Sequence, residues 1–463
     1  MMKKLQNYST GQAVTSGEVP VIAIVTAGDV ISSKRLLDAA VLGARAAGAC
    51  VTTLNTQKLG YANKINPMSA KFAQNFVTLS SATAQAIIKT NMVDGIVLIT
   101  DCDITACGFL HGAHEVNCPI LVMPTGTVHA NDALEIAGKI ASAKHTTDQG
   151  ETLMRLANQV HGAHDNFNSV STFFMLAEFL GFAVENSSLY ARESGALISA
   201  AQATGEKIVS LAKDILAPKK LLTKQSFIDC VTLVSKVGGD VGALKLIEPL
   251  FVANDIKIPH EMVSEIASKT PLLIPTGAQN GTFVRENGGV RAFFEATSDP
   301  SHDGEITSKT ARIVLATGSA CDSGGYIQFN EFTPMTFSGK AWVYPTLEDA
   351  DRALLGGNIP ANSVIVLHDC VGANVTALAK SIEGMSRATE IAIATDGFCD
   401  KTSVLAVTCC TPNSMENEEF ANIQNGDVLD IDVSRGRFNT SILAKDLKSR
   451  AKKNTSKKPV VHF

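Results

Sequence analysis

Tryptophan is nearly absent, with one in 463 residues, and aromatic residues make up only 6%. Nucleic-acid platforms interleave aromatic and basic side chains. The basic half is missing too: the formal net charge is −5, which argues against a nucleic-acid partner. Only the end of the chain runs the other way, with Lys445, Lys448, Arg450, Lys452, Lys453, Lys457 and Lys458. That segment reads as a solvated, frayed tail rather than a binding patch. No apolar run approaches the ~20 residues that span a bilayer, so no membrane partner is expected. The opening MMKKLQNYSTGQAVTSGEVP holds lysines but no apolar core, which predicts no cleaved signal peptide. The ten cysteines are scattered with no Cys-x-x-Cys spacing, a pattern expected of reduced thiols in the cytoplasm. Also missing are a phosphate-loop Gly-Lys-Ser/Thr, a serine-hydrolase elbow and a dinucleotide fingerprint. The glycine pairs at 238–239, 288–289 and 324–325 therefore read as backbone turns, not phosphate cradles.

What is present suits a large globular protein: 45% hydrophobic and 18% charged residues, with length for two or three domains. Residues 20–26, 93–99 and 119–124 are short, apolar and rich in β-branched residues, which predicts buried strands. Helical stretches at Lys34–Ala47 and about Ser69–Asn91 separate the first two. Strands alternating with helices predict a parallel sheet wrapped by helices. Ligands collect at the carboxyl ends of such strands, so chemistry is expected just after Thr26, Ile99 and Met123.

Residues 130–217 read as mostly helical, most clearly at Thr172–Gly181 and Gly195–Ile215. A second αβ-like stretch is expected to about residue 300, with Asp299–Lys309 as candidate linker. Beyond it, short apolar runs recur at 312–316, 340–344, 363–368, 390–394, 404–409 and 428–433, which predicts a β-rich, barrel-like domain. The expected fold is α/β: an N-terminal region (1–305) with a parallel sheet flanked by helices, a β-rich C-terminal domain (306–445) and a basic tail (446–463).

Several segments, in collinear order from about residue 20 to 440, resemble the dihydroxy-acid dehydratase/phosphogluconate dehydratase family. They are LITDCDITACGFLHGAHEVNCPI (98–120), STFFMLAEFLGFAVENSS (171–188), the turn ending GGDVGA (to Ala243), KTPLL (269–273), ENGGVRAFF (286–294), GKAWVYPTLEDADRAL (339–354), TDGFCDKTS (395–403) and NGDVLDIDV (425–433). The resemblance rests on their order and spacing. It implies a hydro-lyase acting on a small hydroxy acid or sugar acid, and a homodimer or dimer of dimers. It also implies an iron–sulfur cluster on three cysteines, with one iron as Lewis acid. A magnesium on carboxylates and a carbamylated lysine, and a serine base, complete the implied chemistry.

Residue by residue the carry-over mostly fails. The first cluster position falls at Asp29, or at Ser32 with a gap; the second is Cys102; the third is His164. One magnesium carboxylate is kept as Asp103. The carbamylated lysine falls at Ile104, and the other two carboxylates near Met68 and Lys380. The serine falls at Asp400. A [2Fe–2S] or [4Fe–4S] cluster is thus not expected, and the purified protein should be colourless.

Two readings stay open for the remaining polar groups. Asp29, Cys102 and His164 could hold a divalent metal, or be packed and solvated residues. Cys107, His111 and His114 share one helix face, and His161 lies three residues before His164. Asp400 could act as base, since a carboxylate is ionised at neutral pH without a metal, or be a turn aspartate. Lys380 and Lys401 could bind an anionic substrate, or face solvent. Cys118 and Cys230 read as core. Cys102, Asp103, His164 and Asp400 are expected to line one cleft. Three functions compete: a hydro-lyase with altered metal or metal-free chemistry, a catalytically silent homologue binding an anionic ligand or protein partner, and a cluster enzyme with displaced ligands.

Overall fold

Four short strands form the first layer. β1 (Val21–Ala27), β2 (Cys50–Thr56), β3 (Gly95–Thr100) and β4 (Ile120–Pro124) pair in the order β2-β1-β3-β4, all parallel. The computed structural model describes residues 19–28, 30–58, 72–128, 142, 163, 165–214, 218–274, 280–296, 312–368, 370, 373–410, 419–443, 445–447 and 450. β1, β3 and β4 are buried at every position. Helices on both faces of a parallel sheet require this. Successive side chains serve opposite faces: Val21, Ala23 and Val25 join one core cluster, Ile22 and Ile24 another.

The helices that wrap the sheet are α1 (Val30–Ala46), α2 (Ala73–Asn91), α3 (Asp103–Glu115), α4 (Ser169–Phe179) and α5 (Gly195–Lys213). α1 and α5 pack together through glycines. A Cβ on Gly43 or Gly205 would lie 2.0 Å from the carbonyl oxygen of Gln202 or Ala40 respectively. α2 and α3 do the same through Gly108 and Gly112. α4 is buried all round, from Ser169 to Phe179, as a helix apolar on every side must be.

Between residues 218 and 296 the described residues hold helices and no strand, so the αβ-like reading of this stretch is corrected. α6 (Lys224–Val237), α7 (Val241–Val252), α8 (Glu261–Lys269), α9 (Asn280–Glu286) and α10 (Gly289–Glu295) follow one another. α6 is fixed at both ends. Thr223 and Ser226 form a reciprocal capping box, and Gly238 closes the helix at φ 62°. The Gly238–Gly239 and Gly288–Gly289 pairs are backbone turns, with Gly288 and Gly289 also at positive φ.

The C-terminal domain is a closed eight-stranded barrel. Its strands are β5 (Ile313–Gly318), β6 (Cys321–Gln328), β7 (Thr336–Tyr344), β8 (Ser363–Leu367), β9 (Ile391–Thr395), β10 (Ala406–Thr408), β11 (Val428–Asp432) and β12 (Arg437–Thr440). They close in the order β10-β6-β5-β12-β11-β7-β8-β9. Small and branched residues fill the interior, among them Ala316, Ala341, Val364, Val366, Ala392 and Ala394. The alternate residues Ile365, Leu367, Ile391 and Ile393 face outward under α11 (Leu347–Leu355) and α12 (Thr376–Gly384). The pair Gly324–Gly325, expected as a turn, lies inside β6 with Gly324 at φ 86°.

The barrel is tied to the helical layer by polar contacts. The Tyr326 hydroxyl donates to the His260 carbonyl at 2.6 Å. The Gln328 side chain accepts from the Val241 amide and donates to the Gly239 carbonyl. Among the described residues no helix is long and apolar enough to cross a membrane. The candidate linker and the basic tail beyond Arg450 fall outside the described residues.

Candidate active site

β3 ends on Thr100, and the chain turns at once into α3. The Thr100 hydroxyl accepts from the Cys102 amide at 3.2 Å. Cys102 is the N-cap of α3, its sulfur accepting from the Thr105 amide at 3.5 Å. Asp103 is fully buried and accepts from the Ile104 amide at 2.9 Å. This is the helix-start site that a carboxylate favours. Burial, then the neighbouring Asp103 charge, pushes the Cys102 thiol up to about 12. It is therefore a protonated thiol near neutral pH.

Sequence reasoning missed the charges around this point. Asp101 meets the Lys58 ammonium at 2.5 Å and the Arg192 guanidinium at 3.9 Å. Lys58 follows β2, an edge strand whose outer half alternates half-buried and exposed. Arg192 is fixed by its amide, which donates to the Thr127 carbonyl just beyond β4.

The barrel contributes the loop after β9. The Asp400 amide donates to the Thr376 hydroxyl at 2.7 Å, and its buried carboxylate accepts from the Asn374 side-chain amide at 2.8 Å. Lys380 pairs with Glu383 at 2.6 Å, and Glu383 also accepts from the Ser403 hydroxyl. The Lys401 ammonium donates to the Gly238 carbonyl at 3.0 Å. Lys401 keeps solvent exposure as a residue, yet protein crowds its ammonium. Burial lowers its pKa, opposed by Asp240 and aided by Arg312.

Two cavities bracket the loop. One of about 550 Å³ is lined by Ile104, Cys107, His111 and Glu115 of α3, Lys245 of α7 and Phe398. The second, about 220 Å³, lies between the turn after α6 and the barrel and includes Lys401, Arg312 and Glu331. Burial, with His114 adding to it, lowers His111 to about 4. His114 points elsewhere, its Nε2 lying 3.4 Å from Asn254 Oδ1. Cys107 donates to the Leu246 carbonyl.

The structure thus brings Cys102 and Asp103 together at the end of β3. It sets the Asp400 loop against the first turn of α3, since Phe398 and Ile104 share a cavity. Lys380 is engaged within its own helix, and Lys401 faces the Gly238 turn. Asp29, Met68, His161 and His164 lie outside the described residues. All ten cysteines are buried and outside any disulfide, Cys118 and Cys230 in the core among them. Among the described residues no three His, Cys, Asp or Glu side chains are grouped to hold a metal ion. Cluster iron needs several thiolates together. Of the three positions that the resemblance assigns to a cluster, only Cys102 has a described side chain.

Comparison with known proteins adds family relations. A family model described as dihydroxy-acid/6-phosphogluconate dehydratase N-terminal matches residues 20–312. Its C-terminal counterpart matches residues 304–462. A dihydroxy-acid dehydratase of Caldanaerobacter subterraneus subsp. tengcongensis is 24% identical over 409 residues, covering 77% of this chain and 74% of that protein. Another, from Pyrococcus abyssi, is 23% identical, covering 91% and 86%. A third, from Methanosarcina barkeri, is 22% identical, covering 96% and 91%.

Proposed function

The chain belongs to the dihydroxy-acid/6-phosphogluconate dehydratase family, and from that premise we propose a hydro-lyase for a small hydroxy acid or sugar acid that works without the ordinary iron–sulfur cluster. The observation that carries this reading is the shared cavity of Ile104 and Phe398. It sets the carboxyl end of β3, where α/β sheets bind ligands, against the barrel loop that carries Asp400. Asp400 lies two residues beyond Phe398, outside the cavity's lining, and would have to turn in to take a proton from carbon. Asp400 would first have to exchange its Asn374 contact for the substrate. The reading includes a homodimer or dimer of dimers, which the family resemblance implies, in the cytoplasm, where scattered reduced cysteines are expected.

A second reading has its own support. Asp400 and Lys380, the groups the resemblance assigns to chemistry, already hold structural partners in Asn374 and Glu383. A silent homologue that binds an acid without converting it would look the same. One experiment separates these readings. Anaerobically purified protein is assayed for 2-keto acid formation from a panel of hydroxy and sugar acids, beside iron and sulfide analysis. Turnover with a colourless preparation supports the hydro-lyase, and its loss in Asp400→Asn assigns the base. Binding without turnover supports the silent homologue. Stoichiometric iron and sulfide with charge-transfer absorption would overturn both.

A further inference from the structure

The cavity of about 220 Å³ is built by both domains and shares no lining residue with the cavity of Ile104 and Phe398. Its helical side is the end of α6. Gly238 closes that helix at φ 62°, and a Cβ there would fall 3.0 Å from the Leu272 side chain and 3.7 Å from the Lys401 ammonium nitrogen. Lys401 crosses this turn, and its ammonium donates to the Gly238 carbonyl at 3.0 Å. Among the described residues it forms no ion pair. The barrel side is the turn after β6. The Asn330 side-chain amide donates to the Thr402 carbonyl at 3.2 Å, and its oxygen accepts from the Phe332 amide at 2.8 Å. This ties the turn to the residue after Lys401. Glu331 accepts from one guanidinium nitrogen of Arg312, and the other two have no hydrogen-bond partner among the described residues. Lys401, Arg312 and Glu331 thus give the cavity two cations and one carboxylate. Asp240 also attracts Lys401, but its carboxylate accepts from the Gly242 amide at 2.7 Å and does not line the cavity. Asn280 and Gln328 are engaged by backbone groups. Much of the remaining wall is apolar, with Val237, Leu272, Ile274, Phe329 and Phe332. Phe332 stands 73% exposed. Ser235 of α6 is also a lining residue, and its buried hydroxyl has no hydrogen-bond partner.

We propose that this cavity binds a small monocarboxylate with an apolar body, its carboxylate on Lys401 and Arg312 and its body against Leu272, Ile274 and Phe332. Lys401 has only a neutral carbonyl to share, so a carboxylate adds an ion pair there without breaking one. Arg312 keeps Glu331 on one nitrogen and has two others for the ligand, in the planar fork that suits a carboxylate. Covering the exposed Phe332 ring favours an acid with an apolar body over a bare carboxylate. The volume lies below the ~300 Å³ at which pockets for drug-sized ligands begin, so an acid of a few carbons fits. The site goes beyond the function proposed above, and binding here requires no turnover.

The test is calorimetric titration of the full chain with 4-methylpentanoate at fixed ionic strength. The neutral isostere 4-methylpentanamide, and acetate, which lacks the apolar body, should each bind at least tenfold more weakly. Lys401→Met should weaken 4-methylpentanoate binding at least tenfold, and Leu272→Trp, which fills the cavity, should abolish it. Glu331→Gln removes the carboxylate that competes for the two cations and should tighten binding several-fold, an effect of opposite sign. Lys34→Met, on the exposed face of α1, should bind as wild type. If Lys401→Met fails to fold, Lys401→Arg, which keeps the charge, should stay within a few-fold of wild type. Undiminished binding in Lys401→Met would overturn the site, and so would equal binding of the amide. No binding of 4-methylpentanoate at millimolar concentration would overturn it as well. Each of these results leaves the proposed function standing.

Discussion

The sheet and the barrel satisfy their charges differently. On the barrel side the partners lie within one domain: Lys380 with Glu383, three residues on, and Asn374 with Asp400, 26 residues apart. On the sheet side Lys58, Asp101 and Arg192 come from three separate connections, 43 residues apart in the case of Lys58 and Asp101. Local pairs stiffen a loop wherever it sits. A long-range cluster exists only because the sheet is assembled, and it converges where α/β sheets bind ligands. The barrel contacts thus stiffen one domain, and the sheet contacts tie three connections together.

The largest effect should appear in α3, which lies between the two. His111 lowers its pKa from 6.5 to about 4 on folding, because burial and His114 disfavour its charged form. The unfolded chain therefore binds this proton first as pH falls. Stability is fully present above about pH 6.5 and declines toward pH 4, by an amount on the order of 3 kcal/mol at ~1.4 kcal/mol per unit. Urea titrations across that window should show the decline, and His111→Gln should flatten it. An unchanged slope in the variant would show that His111 does not cause the decline.

A smaller effect should come from the barrel side. Asn374→Leu leaves the buried Asp400 carboxylate without the donor at 2.8 Å. A lost hydrogen bond to a charged group should cost about 2–3 kcal/mol. Smaller still, Lys58→Met should cost under about 1 kcal/mol, because partly exposed ion pairs contribute little. Chemical denaturation of both variants sharpens the contrast between the two sides. If Lys58→Met proved the costlier of the two, the contrast would be reversed.

The fold was largely legible because its strands are buried on both faces. β1, β3 and β4 are plain apolar runs, and so are β8 and β9 of the barrel. β2 escaped notice because Thr52 to Thr56 alternate half-buried and exposed along a sheet edge. β6 escaped because Gly324–Gly325 resembles a turn. α6 carries the run Cys230–Val237, dense in β-branched residues; its capping box and the Gly238 stop, not its propensity, make it a helix.

The site was legible where it lies on the chain next to an apolar strand. Cys102 and Asp103 follow β3 directly, and the rule for parallel sheets pointed there. Lys58 and Arg192 carry no periodic signature. Lys58 depends on the unrecognised β2, and Arg192 on the bridge between Thr127 and Ala191. The loop with Asp400 was found through its family resemblance. What no sequence pattern could give was its engagement with Asn374, a contact that exists only once α12 is set.

The closure of the barrel bears on how the chain comes to be folded at all. β5 opens the barrel and β12 shuts it, with Arg437 beside Thr317 and the Asn439 side chain accepting from the Ser319 amide, 120 residues apart. During synthesis the outer edge of β5 must wait, unpaired, until β12 leaves the ribosome. Non-local pairings of this kind are slow to form, and open edges invite pairing with other chains. A chain cut short before β12 would keep its sheet and lose its barrel, and its β5 edge would be the place where aggregation begins.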